Sequence, residues 1–303
     1  MVSTSEIDLP TINIKNVIWI DLYAPTGEEK RAVEAFVGTT IQSRAQAEEI
    51  ESSSRFFENE KAIFANTNFL IPGPEEYSTE TVSFILTGNV LTTLRETPLK
   101  SFADLQRRIL AFPTLYPTGN VVFLSILEQR IDLDADMIEL MSREIEQFNK
   151  KISLGEEVNE ELLLDINQLQ ENTMMVRENI VDKQRVISSI LKSAKFPRAH
   201  HTKLNVLLKD ISSLIKHTDF SFERLEFLQS TVIGLVNMEQ NKIMRIFTLV
   251  SLLLMPPSLI ASFYGMNVDL PILGNVWDWV LIIGLMAISF FVVIYAFKKR
   301  KLL

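Results

Sequence analysis

The spacing of apolar and polar positions changes character twice along this 303-residue chain. Up to about residue 115, short runs of β-branched and aromatic residues lie between turn signals, the pattern of strands alternating with helices. Val17–Leu22 reads as a strand. Thr26 follows as a helix N-cap, and Glu29 three residues later completes a capping box. Ala62–Leu70, Thr81–Thr87 and Val90–Arg95 read as further strands, the last two joined by Gly88-Asn89 as a two-residue hairpin turn. Ser101 is expected to cap a helix that runs to about Phe112.

After Tyr116 the period lengthens to that of helices. Leu133, Met137, Leu140, Ile145, Phe148 and Ile152 recur at three-to-five-residue steps. Ile166, Leu169, Val176, Ile180, Ile187 and Ile190 do likewise, with breaks at Gly155 and Pro197. A third series, Leu204, Leu208, Ile211, Ile215, Phe222, Leu225, Val232 and Val236, runs straight into an apolar stretch. Unbroken from Thr202 to Phe263, that helix would be about 90 Å long.

Two segments near the end have membrane length. Ile246–Met266 is 21 residues without a charge and Trp279–Phe297 is 19 more. Each rises roughly 30 Å, the thickness of a bilayer's hydrocarbon core. The short turn between them makes a hairpin, and Tyr264, Trp277 and Trp279 flank it as interfacial aromatics do. Lys298-Lys299-Arg300-Lys301 follows the second span. The positive-inside rule puts that tail in the cytoplasm, and two spans put the N-terminal body there too. The expected organisation is an α+β membrane protein in three parts. Residues 1–115 form a cytoplasmic α/β domain and 116–241 a long-helix stalk. Residues 242–303 form a transmembrane hairpin, with spans at about 244–266 and 277–297.

Charge and composition narrow the partners. Six basic and two acidic residues from Lys242 onward give +4 against −8 for the chain, which leaves −12 on residues 1–241. Such an acidic body suits cations and argues against nucleic acid. The absence of cysteine removes disulfides and thiolate metal sites. No phosphate loop or nucleophile motif is present, so an enzyme is not expected.

With residues set 100° apart from Asn241, Met244, Ser251, Met255, Ser258 and Ser262 fall within about 60° of one another. Thr248 and Phe247 lie at the two edges. This stripe suits either a pore lining or a helix–helix contact in the membrane. Neither span contains an acid, so an ion crossing here keeps most of its water. That suits magnesium, which dehydrates reluctantly. At the end of the first span stands Tyr264-Gly265-Met266-Asn267. Asn267 offers carbonyl acceptors to the protons of an ion's bound water, or a helix C-cap. Gly265 permits close backbone approach, and Met266 packs or presents its carbonyl.

With these residues the chain resembles the CorA-type magnesium transporter family, whose two-span members carry a Gly-Met-Asn signature. The likeness covers Asn241–Leu303, including Met255-Pro256 and the lysine-rich end. It extends to Trp19-Ile20-Asp21-Leu22 with Pro25-Thr26, and to Val82–Leu86 leading into Leu91–Arg95. The resemblance implies a homopentameric funnel in the inner membrane of a bacterial or archaeal cell, with membrane lipid around it. Asn241, Met244, Phe247, Met255 and Ser258 fall where the family's pore is lined or constricted. Gly265, Met266 and Asn267 would form the mouth that contacts hydrated Mg2+, with Co2+ or Ni2+ as further cargo and no organic cofactor. The turn lacks the glutamate many members carry after the signature; Asp269 is either its replacement, giving a fivefold acidic ring, or an exposed loop aspartate with no role. Regulatory cation sites between subunits are also implied, but their carboxylates do not map by motif; Asp210, Asp219 and Glu223 on the stalk are candidates alongside several other acids. His200-His201 would be a transition-metal pair or a solvated one. The alternatives are a zinc transporter of the same superfamily, proton-coupled or not, and a membrane-anchored, non-conducting sensor or scaffold. Met266 argues against the zinc branch, which usually has isoleucine there.

Overall fold

The computed structural model describes residues 17–43, 46–47, 55–73, 77–155, 159–266 and 277–299. The chain divides into two compact units, Met1–Ser230 and Thr231–Leu303. The first is built on five strands: β1 (Trp19–Tyr23), β2 (Phe56–Glu58), β3 (Ile63–Ile71), β4 (Ser78–Thr87) and β5 (Val90–Arg95). They lie in the order β1-β5-β4-β3-β2. β1 pairs parallel to β5 with Asp21 opposite Thr93, and the other pairs are antiparallel. Parallel pairing requires a crossover, and helix α1 (Gly27–Val37) begins it.

Local chemistry sets the ends of these elements. Thr26 caps α1 as its capping box predicts, accepting from the Glu29 N–H while the Glu29 carboxylate accepts from the Thr26 N–H at 2.8 Å. Gly38 closes α1 in the left-handed region, at φ 71°. Gly88, at φ 58°, turns β4 into β5. The next helix, α2 (Lys100–Ala111), corrects an expectation. Its N-cap is Leu99, which makes no side-chain cap, and Ser101 is buried inside the first turn. Packing places this start: Leu99, Phe102 and Leu105 are buried together, and the Phe102 N–H donates to the Leu99 carbonyl.

Both faces of the sheet are covered. Leu22, Val33, Val37, Ile41, Ala62, Phe64 and Ile85 form one core cluster with α1. Elsewhere Phe69 and Phe84 meet Phe102 and Phe123, with Phe84 edge-on to Phe123 at 5.2 Å. Phe123 belongs to α3 (Gly119–Ser153), which is followed by α4 (Glu160–Lys192) after a break at Gly155, φ 69°. Gly119 begins α3 against the β4–β5 turn. Its N–H donates to the Asn89 carbonyl at 2.6 Å. A Cβ there would stand 2.3 Å from the Leu91 nitrogen, so only glycine fits.

α3 also turns a different face inward from the one its apolar steps suggest. Leu140 is exposed, while Arg130, Asp134, Met137, Met141 and Ile145 are buried. The polar members belong to a charged cluster that joins two helices to β3. Arg130 and Lys183 both pair with Asp134, at 3.1 and 2.9 Å. Arg130 also donates to the Leu70 carbonyl at 2.5 Å. Asn179 donates to the Asn68 carbonyl, and Asp182 accepts from the Asn68 N–H and pairs with Arg55. Lys183 is fully buried, and burial pushes its ammonium down to about 8, with Asp134 opposing the shift and Arg130 adding to it.

Helix α5 (His201–Tyr264) follows a 3-10 turn at Arg198–His200, and its 64 residues carry Pro256 and Pro257 in their interior. In the first unit its buried face runs Leu204, Leu207, Ile211, Thr218, Ser221, Leu225 and Leu228. Val236, expected on that face, is exposed. Small hydroxylated residues hold two of these positions, so counting aliphatic residues alone misplaces the face.

Candidate ion pathway

The second unit contains the end of α5 and helix α6 (Asp278–Lys299). Both helices are long and apolar enough to cross a membrane, and neither apolar window is buried in the chain. An exposed apolar surface of this extent requires lipid or further protein around it.

Asn241, Met244, Phe247, Thr248, Ser251, Met255, Ser258 and Ser262 all lie on α5 and are exposed. Helical period brings them to one side over about six turns. The Thr248 hydroxyl donates to the Met244 carbonyl at 2.8 Å, which leaves its oxygen as an acceptor toward the stripe. Phe247 presents a full ring, 66% exposed, at the stripe's edge. Met255 borders the stripe and also lines a groove between α5 and α6 with Leu252, Pro256, Val292, Val293, Ala296 and Phe297.

The signature stands where α5 ends. The Gly265 N–H still donates to the Ala261 carbonyl at 3.0 Å, as in an α-helix. The Met266 N–H reaches only to Phe263, at 3.5 Å, so the helix tightens and stops there. A Cβ on Gly265 would lie 3.1 Å from the Ala261 oxygen, closer than side chains normally sit. Tyr264 packs its ring edge against Phe263 at 5.8 Å. Asn267 and Asp269 lie outside the described residues.

In the first unit, among the described residues, no group of three or more His, Asp or Glu side chains is arranged to hold a metal ion. Asp219 is paired with Arg177 at 2.5 Å, and Glu223 lines a hollow beside them with Glu178 and Phe222. Asp132 has its carboxyl raised by burial and by the neighbouring acids Glu128, Asp136 and Asp210, against the pull of Lys203. His200 stands 5.9 Å from the ring of Phe196.

A family model described as CorA-like Mg2+ transporter protein matches residues 15–299, almost the entire chain. The chain belongs to the CorA-like Mg2+ transporter family. The magnesium transport protein CorA of Wolinella succinogenes is 34% identical over 305 residues, covering 99% of this chain and 95% of that one. CorA of Campylobacter jejuni strain RM1221 is 32% identical, covering 94% and 91%. CorA of Escherichia coli K12 is 32% identical over 84% of this chain and 81% of its own. Among solved structures, CorA of Methanocaldococcus jannaschii aligns with a TM-score of 0.77 at 20% identity, covering 93% and 90%. Full-length CmaX aligns at 0.70 and 14%, covering 98% and 92%. These structural likenesses establish the CorA fold: an N-terminal α/β sheet, a long helix and a C-terminal apolar helix.

The two membrane-length apolar segments expected from the sequence lie on α5 and α6, and the residues of the stripe lie on α5. The groove between α5 and α6 was not expected, because a groove belongs to two helices and periodicity describes one at a time. The signal that was available is the seven-residue spacing of Arg245 from Leu252 and of Lys299 from Val292.

Proposed function

We infer that the protein carries Mg2+ passively, down its electrochemical gradient, through a central pore formed by five copies. The observation that carries this reading is membership of a Mg2+ transporter family, joined to Tyr264-Gly265-Met266-Asn267 at the end of an acid-free span. A single hairpin encloses no pore, so a conducting pathway needs several copies around an axis. The membrane is the inner membrane of a bacterial or archaeal cell, with both termini cytoplasmic. Residues 1–115 and 116–241 are the cytoplasmic domain and stalk, and 242–303 the membrane hairpin.

In this reading Gly265, Met266 and Asn267 form the mouth. The Asn267 carbonyls accept hydrogen bonds from the first-shell water of Mg2+, so the ion enters without stripping its shell. Asp269 adds a ring of charge beside them that raises the local cation concentration. Asn241, Met244, Thr248, Ser251, Met255, Ser258 and Ser262 line the path with acceptors and soft apolar surface, and Phe247 narrows it. Co2+ and Ni2+ share the hydrated form and are further cargo.

The test is uptake of Mg2+ into liposomes carrying the purified protein, read by an internal indicator. Wild type should conduct and Asn267→Ala should lose most of the flux. Absence of flux in wild type, or full flux in Asn267→Ala, overturns the reading. The same liposomes offered Co2+, Ni2+ and Zn2+, with and without a pH gradient, give the selectivity. Zinc entry that follows the pH gradient with none for Mg2+ would assign the protein to zinc.

A further inference from the structure

The groove between α5 and α6 has a volume of about 390 Å³ and is lined by residues with apolar side chains: Leu252, Met255, Pro256, Val292, Val293, Ala296 and Phe297. It is open along one side, within the apolar length of both helices. At one end of it stand two cations. Arg245 precedes Leu252 by seven residues, which puts it on the same face of α5 two turns away. Lys299 follows Val292 by seven and Ala296 by three, which puts it on the groove side of α6 within a turn of the last lining residues. Lys298 points a further 100° round and faces away. Arg245 and Lys299 are exposed, and among the described residues neither has an ion-pair partner. The sequence between Glu239 and Asp269 contains no acid, so α5 supplies no counter-charge to Arg245 across its whole membrane span.

We propose that this groove seats one acyl chain of an anionic phospholipid, whose phosphate is held by Arg245 and Lys299. The two parts of the site match the two parts of such a molecule. The apolar wall takes an unbranched flexible chain, and one cation from each helix stands beyond the same end of the groove, where that chain's headgroup must lie. A helix from a second copy would cover the wall and leave both cations unpaired at the interface. The lipid would also tie α5 to α6, since each helix supplies one wall and one cation.

The experiment is native mass spectrometry of the full-length protein in detergent, titrated with phosphatidylglycerol or phosphatidylcholine of identical acyl chains. At ~1 kcal/mol for each basic residue near the headgroup, two cations predict a roughly thirty-fold preference for phosphatidylglycerol. Arg245→Gln with Lys299→Gln should abolish the preference while both lipids still bind. Lys298→Gln, on the other side of α6, should retain it. Ala296→Leu narrows the groove and should weaken both lipids together. Equal retention of the two lipids by wild type overturns the proposal, as does an equal loss of preference in Lys298→Gln. A changed number of chains in the assembly of Ala296→Leu, with lipid binding intact, would assign the groove to a second copy.

Discussion

The buried cluster of Arg130, Asp134 and Lys183 makes an unequal prediction for its members. Asp134 is paired with both cations, and all three side chains are almost fully buried. Removing Asp134 as Asp134→Asn leaves two buried cations facing each other, and breaking a buried pair of this kind costs ~3–5 kcal/mol. Removing Lys183 as Lys183→Met leaves a neutral Arg130–Asp134 pair. Lys183 is depressed from 10.5 to about 8, which makes its charged form cost ~3 kcal/mol at 1.36 kcal/mol per unit. That relief offsets the lost contacts, so Lys183→Met should fall within ~1 kcal/mol of wild type at neutral pH, or above it. The pH dependence follows from the same shift. The folded pKa lies below the unfolded one, so between pH 8 and 10.5 the unfolded chain holds a proton that the folded chain has released. Wild-type stability therefore gains on Lys183→Met as pH rises through this window, by up to ~3 kcal/mol. The assay is thermal unfolding of the full-length protein in detergent, in a Trp277→Phe, Trp279→Phe background so that Trp19 reports on the sheet. Asp134→Asn should lower the transition by roughly 10 °C and Lys183→Met by little. Equal losses in the two variants, or a wild-type-minus-Lys183→Met difference flat from pH 8 to 10.5, would refute the reasoning.

Other positions give sharper single results. Gly119→Ala drives a Cβ into the backbone of Val90 and Leu91, so it should cost at least ~1–3 kcal/mol by the same unfolding measurement and reduce the yield of folded protein. Thr26→Ala removes the capping box of α1 and should cost ~1 kcal/mol, while Thr26→Ser should restore most of it. Arg95 pairs with Asp21 at 2.7 Å across the parallel β1–β5 edge, so Arg95→Met should cost about 3 kcal/mol by leaving the buried Asp21 carboxylate with only the Thr93 hydroxyl as donor. Phe247→Ala should raise Mg2+ entry into liposomes several-fold if the ring narrows the path; unchanged entry would remove Phe247 from it.

Much of the fold was legible because its signals are local. The Thr26–Glu29 box, the Gly88-Asn89 turn and the two charge-free stretches each state their structure within a few residues. The failures share a cause: packing overrode a local signal. Ser101 looked like a cap, but the helix start follows burial of Leu99 and Phe102. The inward face of α3 was misjudged because Arg130 and Asp134 hold core positions, and apolar counting skips charged residues. β2 is three residues long, too short to carry a period, and is held by its pairing with β3. The parallel partnership of β1 with β5 joins residues more than seventy positions apart, which no window along the chain can see. For the pathway, helical period placed the stripe on α5. The proposed mouth rests on the identities of Gly265, Met266 and Asn267, of which the last lies outside the described residues.

Pro256 and Pro257 give α5 a mechanical property apart from its chemistry. Neither has an N–H, so the carbonyls of Leu252 and Leu253 lose their donors one turn earlier, within the apolar stretch. A rod with two adjacent rungs missing has its lowest bending stiffness there, because flexing at that level breaks no further bond. The two bare oxygens also need partners that hydrocarbon cannot supply, so water or a neighbouring hydroxyl must reach them. α5 is thus most compliant, and most in need of hydration, at one and the same height in the bilayer.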